Sequence, residues 1–134
     1  YQDLAAFDEV PSVLDTLRGK NEKLAVLSNA NLEMLERAVS SAKIVHYFDD
    51  LISVDKLKCY KPEPKVYKLV IDKYNCAASE VKFFSANNWD ISGAKAFGFE
   101  TIWVNRNSIA WDNLPGRPDH TVKTLLEGVK IFVD

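Results

Sequence analysis

Four short apolar runs constrain this chain more than any other feature. They are Leu24-Ala25-Val26-Leu27, Leu51-Ile52-Ser53-Val54, a run through Val81, Phe83 and Phe84, and Thr101-Ile102-Trp103-Val104. The first shows no polar alternation, so both of its faces are expected to be buried, as in a parallel sheet. Helical patterns separate the runs. Strands alternating with helices make βαβ repetition, which predicts an α/β fold: a three-layer, Rossmann-like parallel sheet with helices on both faces.

The helix punctuation supports this reading. Asp8 and Glu9 precede Pro11; Val10, Val13, Leu14 and Leu17 recur at helical spacing, and Gly19 closes the pattern. Leu32, Leu35, Val39 and Ala42 mark a second helix face. Pro64 suits a first helical position, Val66, Tyr67, Val70, Ile71 and Tyr74 form a stripe, and Asn75 suits a C-terminal cap. A small-residue helix is expected from about Trp89 to Phe97, ending at Gly98. Residues 108–118 read as loop, with Pro115-Gly116 as a turn. Thr124 and Glu127 have capping-box spacing before a last short helix. No linker or repeat interrupts the pattern, and 134 residues suit one domain with a real core.

Bulk properties exclude several partners. A net charge of −2, mixed in sign, gives no basis for binding nucleic acid or an anionic membrane. No apolar run reaches the ~20 residues of a membrane span. The opening residues carry no signal-peptide pattern. Cys59 and Cys76 are too few for a disulfide framework and have no metal-ligand spacing. Reduced thiols in a cytoplasmic protein are the expectation. The first residue is Tyr1 rather than Met, as in a piece of a longer protein.

Polar residues gather where the runs end: Ser28-Asn29, then Ser85, Asn87 and Asp90, then Asn105. Lys61 follows the second run. Ligands of open α/β sheets bind at the carboxyl ends of strands, so hydroxyl, amide, ammonium and carboxylate groups are expected to converge there. Each residue also has a plain structural use. A Ser-Asn pair after a strand can be a helix cap, a lysine before proline can be solvated, and an aspartate at a helix start can serve the helix dipole. Tyr67 and Trp89 can be core or pocket wall. His46 and His120 show no partner pattern and read as structural, and Trp103 and Trp111 read as strand packing and loop anchor.

Taken in order, LAVLSNA, CYKPEPKVY, FFSANNWDISGAKAFGF and WVNR resemble the second, third and fourth motifs of the haloacid dehalogenase superfamily and the strand that follows them. The resemblance is narrower to the L-2-haloacid dehalogenases and covers essentially the whole chain. It implies a hydrolase in which an aspartate displaces halide from carbon and water then cleaves the ester. Ser28 would hold the substrate carboxylate, and Asn29 would lie near that carboxylate and the halide. Lys61 would set a positive charge beside the nucleophile. Asp90 would pair with Lys61 and help activate water, with Ser85 and Asn87 positioning it. Tyr67 and Trp89 match positions of the pocket wall. The implied substrate is a short 2-halocarboxylate, and no metal or organic cofactor is implied.

Two departures matter. Magnesium phosphatases of the superfamily place an acid where this chain has Ala86. A methyl group cannot ligate magnesium, which takes oxygen ligands, so Ala86 points away from phosphatase and towards metal-independent chemistry. The family's first motif, a strand ending in the nucleophilic Asp, is absent, as is the helical cap. Asp3 and Asp8 follow no apolar run, and residues 1–19 resemble the return from cap to core and the first core helix. The chain therefore reads as a single partial core domain, 1–134, missing the central strand between 24–27 and 81–85, and it is expected to be inactive alone. An upstream segment, a partner or swapped segment, or direct closure of the two strands could fill that slot; a homodimer also remains open. The rival functions are a phosphatase of the same superfamily and a non-catalytic binding or receiver-like module.

Overall fold

A computed structural model describes residues 15–17, 23–28, 31–41, 48–53, 61, 63–106, 108–111 and 114–132. Asp3, Asp8, Pro11, Asn29, His46 and Cys59 lie outside these residues. The chain divides into two compact units, Tyr1–Tyr60 and Lys61–Asp134.

In the first unit, residues 15–17 are helical. Strand β1 (Ala25–Ser28) and strand β2 (Asp50–Ser53) flank helix α1 (Leu32–Ser41). The strands pair in parallel, with Ala25 opposite Asp50 and Ser28 opposite Ser53. Asn31 starts α1: its Oδ1 accepts from the Met34 N–H at 2.9 Å and its carbonyl accepts from the Leu35 N–H. That cap satisfies a helix N–H with no partner inside the helix. Leu35 and Ala38 are buried, whereas Leu32, expected on the same face, is 43% exposed at the first helical position. Strand β1 is not buried on both faces as expected. Val26 and Leu27 are half-buried and only Ser28 is buried, because β2 is the only strand beside β1 among the described residues.

The second unit holds helix α2 (Pro64–Tyr74), a 3-10 turn (Ala78–Glu80), strand β3 (Lys82–Ser85), helix α3 (Asn88–Phe97), strand β4 (Glu100–Val104), strand β5 (His120–Val122) and helix α4 (Leu125–Lys130). The caps fall where the sequence places them. Asn75 is left-handed at φ 50° after α2, Gly98 is left-handed at φ 116° after α3, and the Thr124 hydroxyl accepts from the Glu127 N–H at the start of α4. The sheet order is β3-β4-β5, all parallel. The third strand is not legible as an apolar run: it is three residues long, and two of them, His120 and Thr121, are polar. Its place is secured at the far end, where the Asn105 N–H donates to the Val122 carbonyl at 2.7 Å.

Strand β3 shows why this sheet is covered twice. Phe83 packs edge-on against Tyr67 of α2 at 5.7 Å between ring centroids, and Tyr67, Phe97 and Phe99 complete an aromatic cluster. Phe84, its neighbour, points to the other face and meets Phe132 at 6.4 Å. Adjacent strand residues face opposite ways, so α2 and α3 cover one face and α4 the other, giving three layers. Central β4 is buried from Thr101 to Val104. No described strand pairs with the second edge of β3.

Helix α4 can lie this close because residue 128 is glycine. A Cβ there would sit 2.8 Å from Phe84 Cε2 and 3.1 Å from Ile102 Cγ2. Gly128→Val is expected to destabilise the protein by about 1–3 kcal/mol through overpacking, read as a lowered midpoint in thermal or urea unfolding; an unchanged midpoint would refute the close approach.

The start of β4 is held by Asp119. Its Oδ2 accepts from the Thr101 N–H at 2.8 Å, and its Oδ1 lies 2.5 Å from Lys95 Nζ of α3. Burial pushes this carboxyl up, but the Lys95 hydrogen bond, the Thr101 N–H and the Lys95 charge together hold it below its ordinary value. A carboxyl lowered in the folded state stabilises above its unfolded pKa, ~3.9, and loses that contribution as pH falls through the folded value. In Asp119→Asn the acid-side fall in stability between about pH 6 and pH 2 is expected to be shallower; coincident profiles would show that Asp119 carries none of it.

Candidate active site

Asp90 occupies the first turn of α3 and is 2% exposed. A buried carboxylate needs compensation, and two side chains supply it. Lys61 Nζ lies 2.8 Å from Asp90 Oδ2, with both side chains largely out of solvent. The Tyr67 hydroxyl donates to Oδ1 at 2.8 Å, with the Asp90 carbonyl at 3.3 Å. Lys61 and Tyr67 precede Asp90 by 29 and 23 residues. The contacts therefore depend on α2 and α3 packing on the same sheet face. Lys61 Nζ also stands 5.7 Å from the centre of the Phe83 ring, a distance at which the ring face attracts a cation.

Tyr67 is wholly buried. Its ring belongs to the aromatic cluster and its hydroxyl fixes Asp90. Burial first, then the Asp90 charge and the hydrogen bond to it, push the phenol far above its ordinary range. The hydroxyl thus stays protonated and donates at any working pH. With one carboxylate oxygen on Lys61 and the other on Tyr67, Asp90 is held in one rotamer, and each oxygen keeps lone-pair capacity for a further donor.

The turn between β3 and α3 carries the other polar groups. Ser85 ends β3, and its Oγ accepts from the Asn87 N–H at 3.1 Å. The Ala86 carbonyl accepts from the Trp103 indole N–H at 3.1 Å. Asn87 is the N-cap of α3, yet its side chain makes no capping hydrogen bond and is exposed. Trp89, next along α3, is 39% exposed. In the second unit Lys61, just before α2, and Tyr67, on α2, thus meet Asp90 of α3, while Ser85 at the end of β3, Asn87 in the β3–α3 turn and Trp89 at the start of α3 adjoin Asp90 in sequence. In the first unit, Ser28 is buried at the end of β1; Asn29 lies outside the described residues.

Asn105 has a different task. Its Nδ2 donates to the Ile109 carbonyl at 2.8 Å and its Oδ1 accepts from the Ile109 N–H at 3.0 Å, which closes the loop after β4. His120 meets Glu100 at 3.1 Å, in keeping with a structural use, and Trp103 and Trp111 pack edge-on at 5.0 Å. The Trp103 contact with the site turn is missed by sequence reading. The signal for it is cross-strand register, since Trp103 stands opposite Ser85. No helix among the described residues is long and apolar enough to cross a membrane.

Comparison with known proteins identifies the family. The model of the haloacid dehalogenase-like hydrolases matches residues 2–104. The haloacetate dehalogenase H-2 of Moraxella sp. (strain B) is 39% identical over 125 residues, which are 93% of this chain and 56% of that protein. The (S)-2-haloacid dehalogenase of Pseudomonas sp. (strain YL) is 39% identical over 132 residues, 98% of this chain and 57% of that protein. The L-2-haloacid dehalogenase of Xanthobacter autotrophicus superposes with a TM-score of 0.90 at 28% identity, covering 100% of this chain and 64% of its own. The chain spans about half the length of the curated relatives it matches. Motif order, parallel sheet and matched relatives converge: the chain belongs to the haloacid dehalogenase-like hydrolase family.

Proposed function

We propose that the full-length protein containing residues 1–134 is a dehalogenase that hydrolyses short 2-haloalkanoic acids. The observation that carries this reading is the buried Lys61–Asp90–Tyr67 cluster beside the Ser85–Asn87 turn. In the reaction, an aspartate carboxylate oxygen bonds to the halogen-bearing carbon and halide leaves with the bonding electrons. Water then attacks the aspartyl ester carbonyl, releasing the 2-hydroxy acid and a proton and restoring the carboxylate.

The roles divide by chemistry. Lys61 sets a fixed positive charge beside the nucleophile. Asp90, already oriented, accepts a hydrogen bond from the attacking water, which Ser85 and Asn87 place. Ser28 holds the substrate carboxylate, Asn29 lies near that carboxylate and the departing halide, Trp89 borders the substrate, and Tyr67 keeps Asp90 in position. Ala86 offers a methyl where the related phosphatases place a magnesium-ligating acid, which favours carbon–halide displacement over phosphoryl transfer. The nucleophile belongs to a strand outside residues 1–134; the second edge of β3 has backbone groups suited to pair with it, whether it comes from the same protein or from a second copy. Residues 1–134 are then one partial core domain. The free Cys76 thiol suits a cytoplasmic location.

Halide release from 2-chloropropionate tests the reading. It is expected from the full-length protein and not from residues 1–134 alone. Release by residues 1–134 would place the nucleophile inside them, and magnesium-dependent phosphate release without dehalogenation would establish the phosphatase instead. Lys61→Met is expected to abolish halide release and to destabilise the fold by about 3–5 kcal/mol, the usual consequence of leaving a buried partner charge unpaired. A stable, active variant would remove Lys61 from both roles.

A further inference from the structure

The peptide joining Ala86 to Asn87 is held at both ends. Its N–H donates to Ser85 Oγ at 3.1 Å, and its carbonyl accepts from the Trp103 indole at 3.1 Å. The plane of this peptide is therefore fixed, and with it the backbone of Asn87, at φ −95° and ψ 122°. Asparagine at a helix N-cap ordinarily turns its side-chain oxygen back onto the helix N–H groups. Asn87 does not. Its amide is exposed and free of the helix end, in the turn where the proposed hydrolytic water is placed.

Trp103 can hold that peptide because it is itself fixed. It is buried on β4 opposite Ser85, so its indole starts from a rigid strand. Trp111 packs edge-on against it at 5.0 Å, and the Trp111 indole N–H donates to the Leu114 carbonyl at 3.2 Å. The loop before Trp111 is closed by the two Asn105–Ile109 hydrogen bonds. Rigid elements thus lead from the β4–β5 connection to one carbonyl of the site turn.

We propose that Trp103 is a positioning residue: its indole N–H, on the Ala86 carbonyl, sets the 86–87 peptide plane and so aims the Asn87 side chain into the site. This rests on the proposed dehalogenase reading for the task of Asn87, but not for the clamp itself. The ordinary alternative is that the bond only satisfies a buried indole N–H, without consequence for Asn87.

Hydrogen exchange and kinetics on the full-length protein separate the two. In the unmodified protein the Trp103 indole proton should exchange far more slowly than that of exposed Trp89; equal rates would end the proposal without any variant. In Trp103→Phe, which keeps an aromatic ring on β4, the Asn87 amide should exchange roughly two- to tenfold faster, the size expected for one weakened hydrogen bond. Unchanged Asn87 exchange would overturn the proposal. With 2-chloropropionate, kcat should fall roughly 10- to 100-fold, the scale of a small misplacement near the chemistry, while KM changes little. Trp103→Phe combined with Asn87→Ala should be no slower than Asn87→Ala alone, because one acts through the other. Independent, multiplicative losses would assign Trp103 a purely structural role. If the full-length protein releases no halide, the dehalogenase reading falls, and the Asn87 exchange result still decides whether the clamp exists.

Discussion

The contact on which the second unit depends is the one between Asp90 and its two partners. A carboxylate this deeply buried is tolerated only with a compensating charge and satisfied lone pairs. Lys61 provides the charge and the Tyr67 hydroxyl fixes the rotation. Tyr67 also ties the site to the core, because the ring that carries this hydroxyl is packed among Phe83, Phe97 and Phe99. Site geometry and core packing are thus one mechanical system. A change in the aromatic cluster moves the hydroxyl, and a change at Asp90 takes the carboxylate acceptor from a buried phenol and leaves it only the longer contact to the Asp90 carbonyl.

Strand and helix identities were largely legible from the chain alone. Central β4 is buried from Thr101 to Val104 and apolar from Ile102 to Val104, with strands on both of its edges and helices on both faces. Pro64, Asn75, Gly98 and Thr124 mark helix ends for local reasons of φ, missing N–H or side-chain capping, and local reasons survive folding. Strand β5 was not legible. Its hydrogen bonds come from β4, and its residues, His120 and Thr121 above all, would suit a loop equally well. Leu32 was misplaced on the buried face because periodicity alone does not say where a helix outruns the surface it covers.

The candidate site was legible in its parts but not in its connections. Lys61, Ser85, Asn87 and Asp90 stand out as polar groups at the ends of apolar runs. Nothing in the stripe of Val66, Tyr67, Val70 and Ile71 sets Tyr67 apart from its packing neighbours; its role rests on a carboxylate 23 residues away. Trp103 is hidden likewise, since a tryptophan in an apolar strand reads as bulk until the partner strand's register is known. What sequence conceals here is the second atom of each pair.

The close seat of α4 on the sheet also bears on how the chain avoids misfolding. Lys82 and Phe84 share the α4 face, where both meet Phe132, while Phe83 shares the other face with Tyr67. A one-residue slip of β3 against β4 would exchange these faces. The ammonium of Lys82 would enter the aromatic cluster, and Phe84 would leave the ring-sized space under Gly128. Two neighbouring phenylalanines look interchangeable in the sequence, but the lysine before them and the glycine opposite them make the wrong alignment self-rejecting.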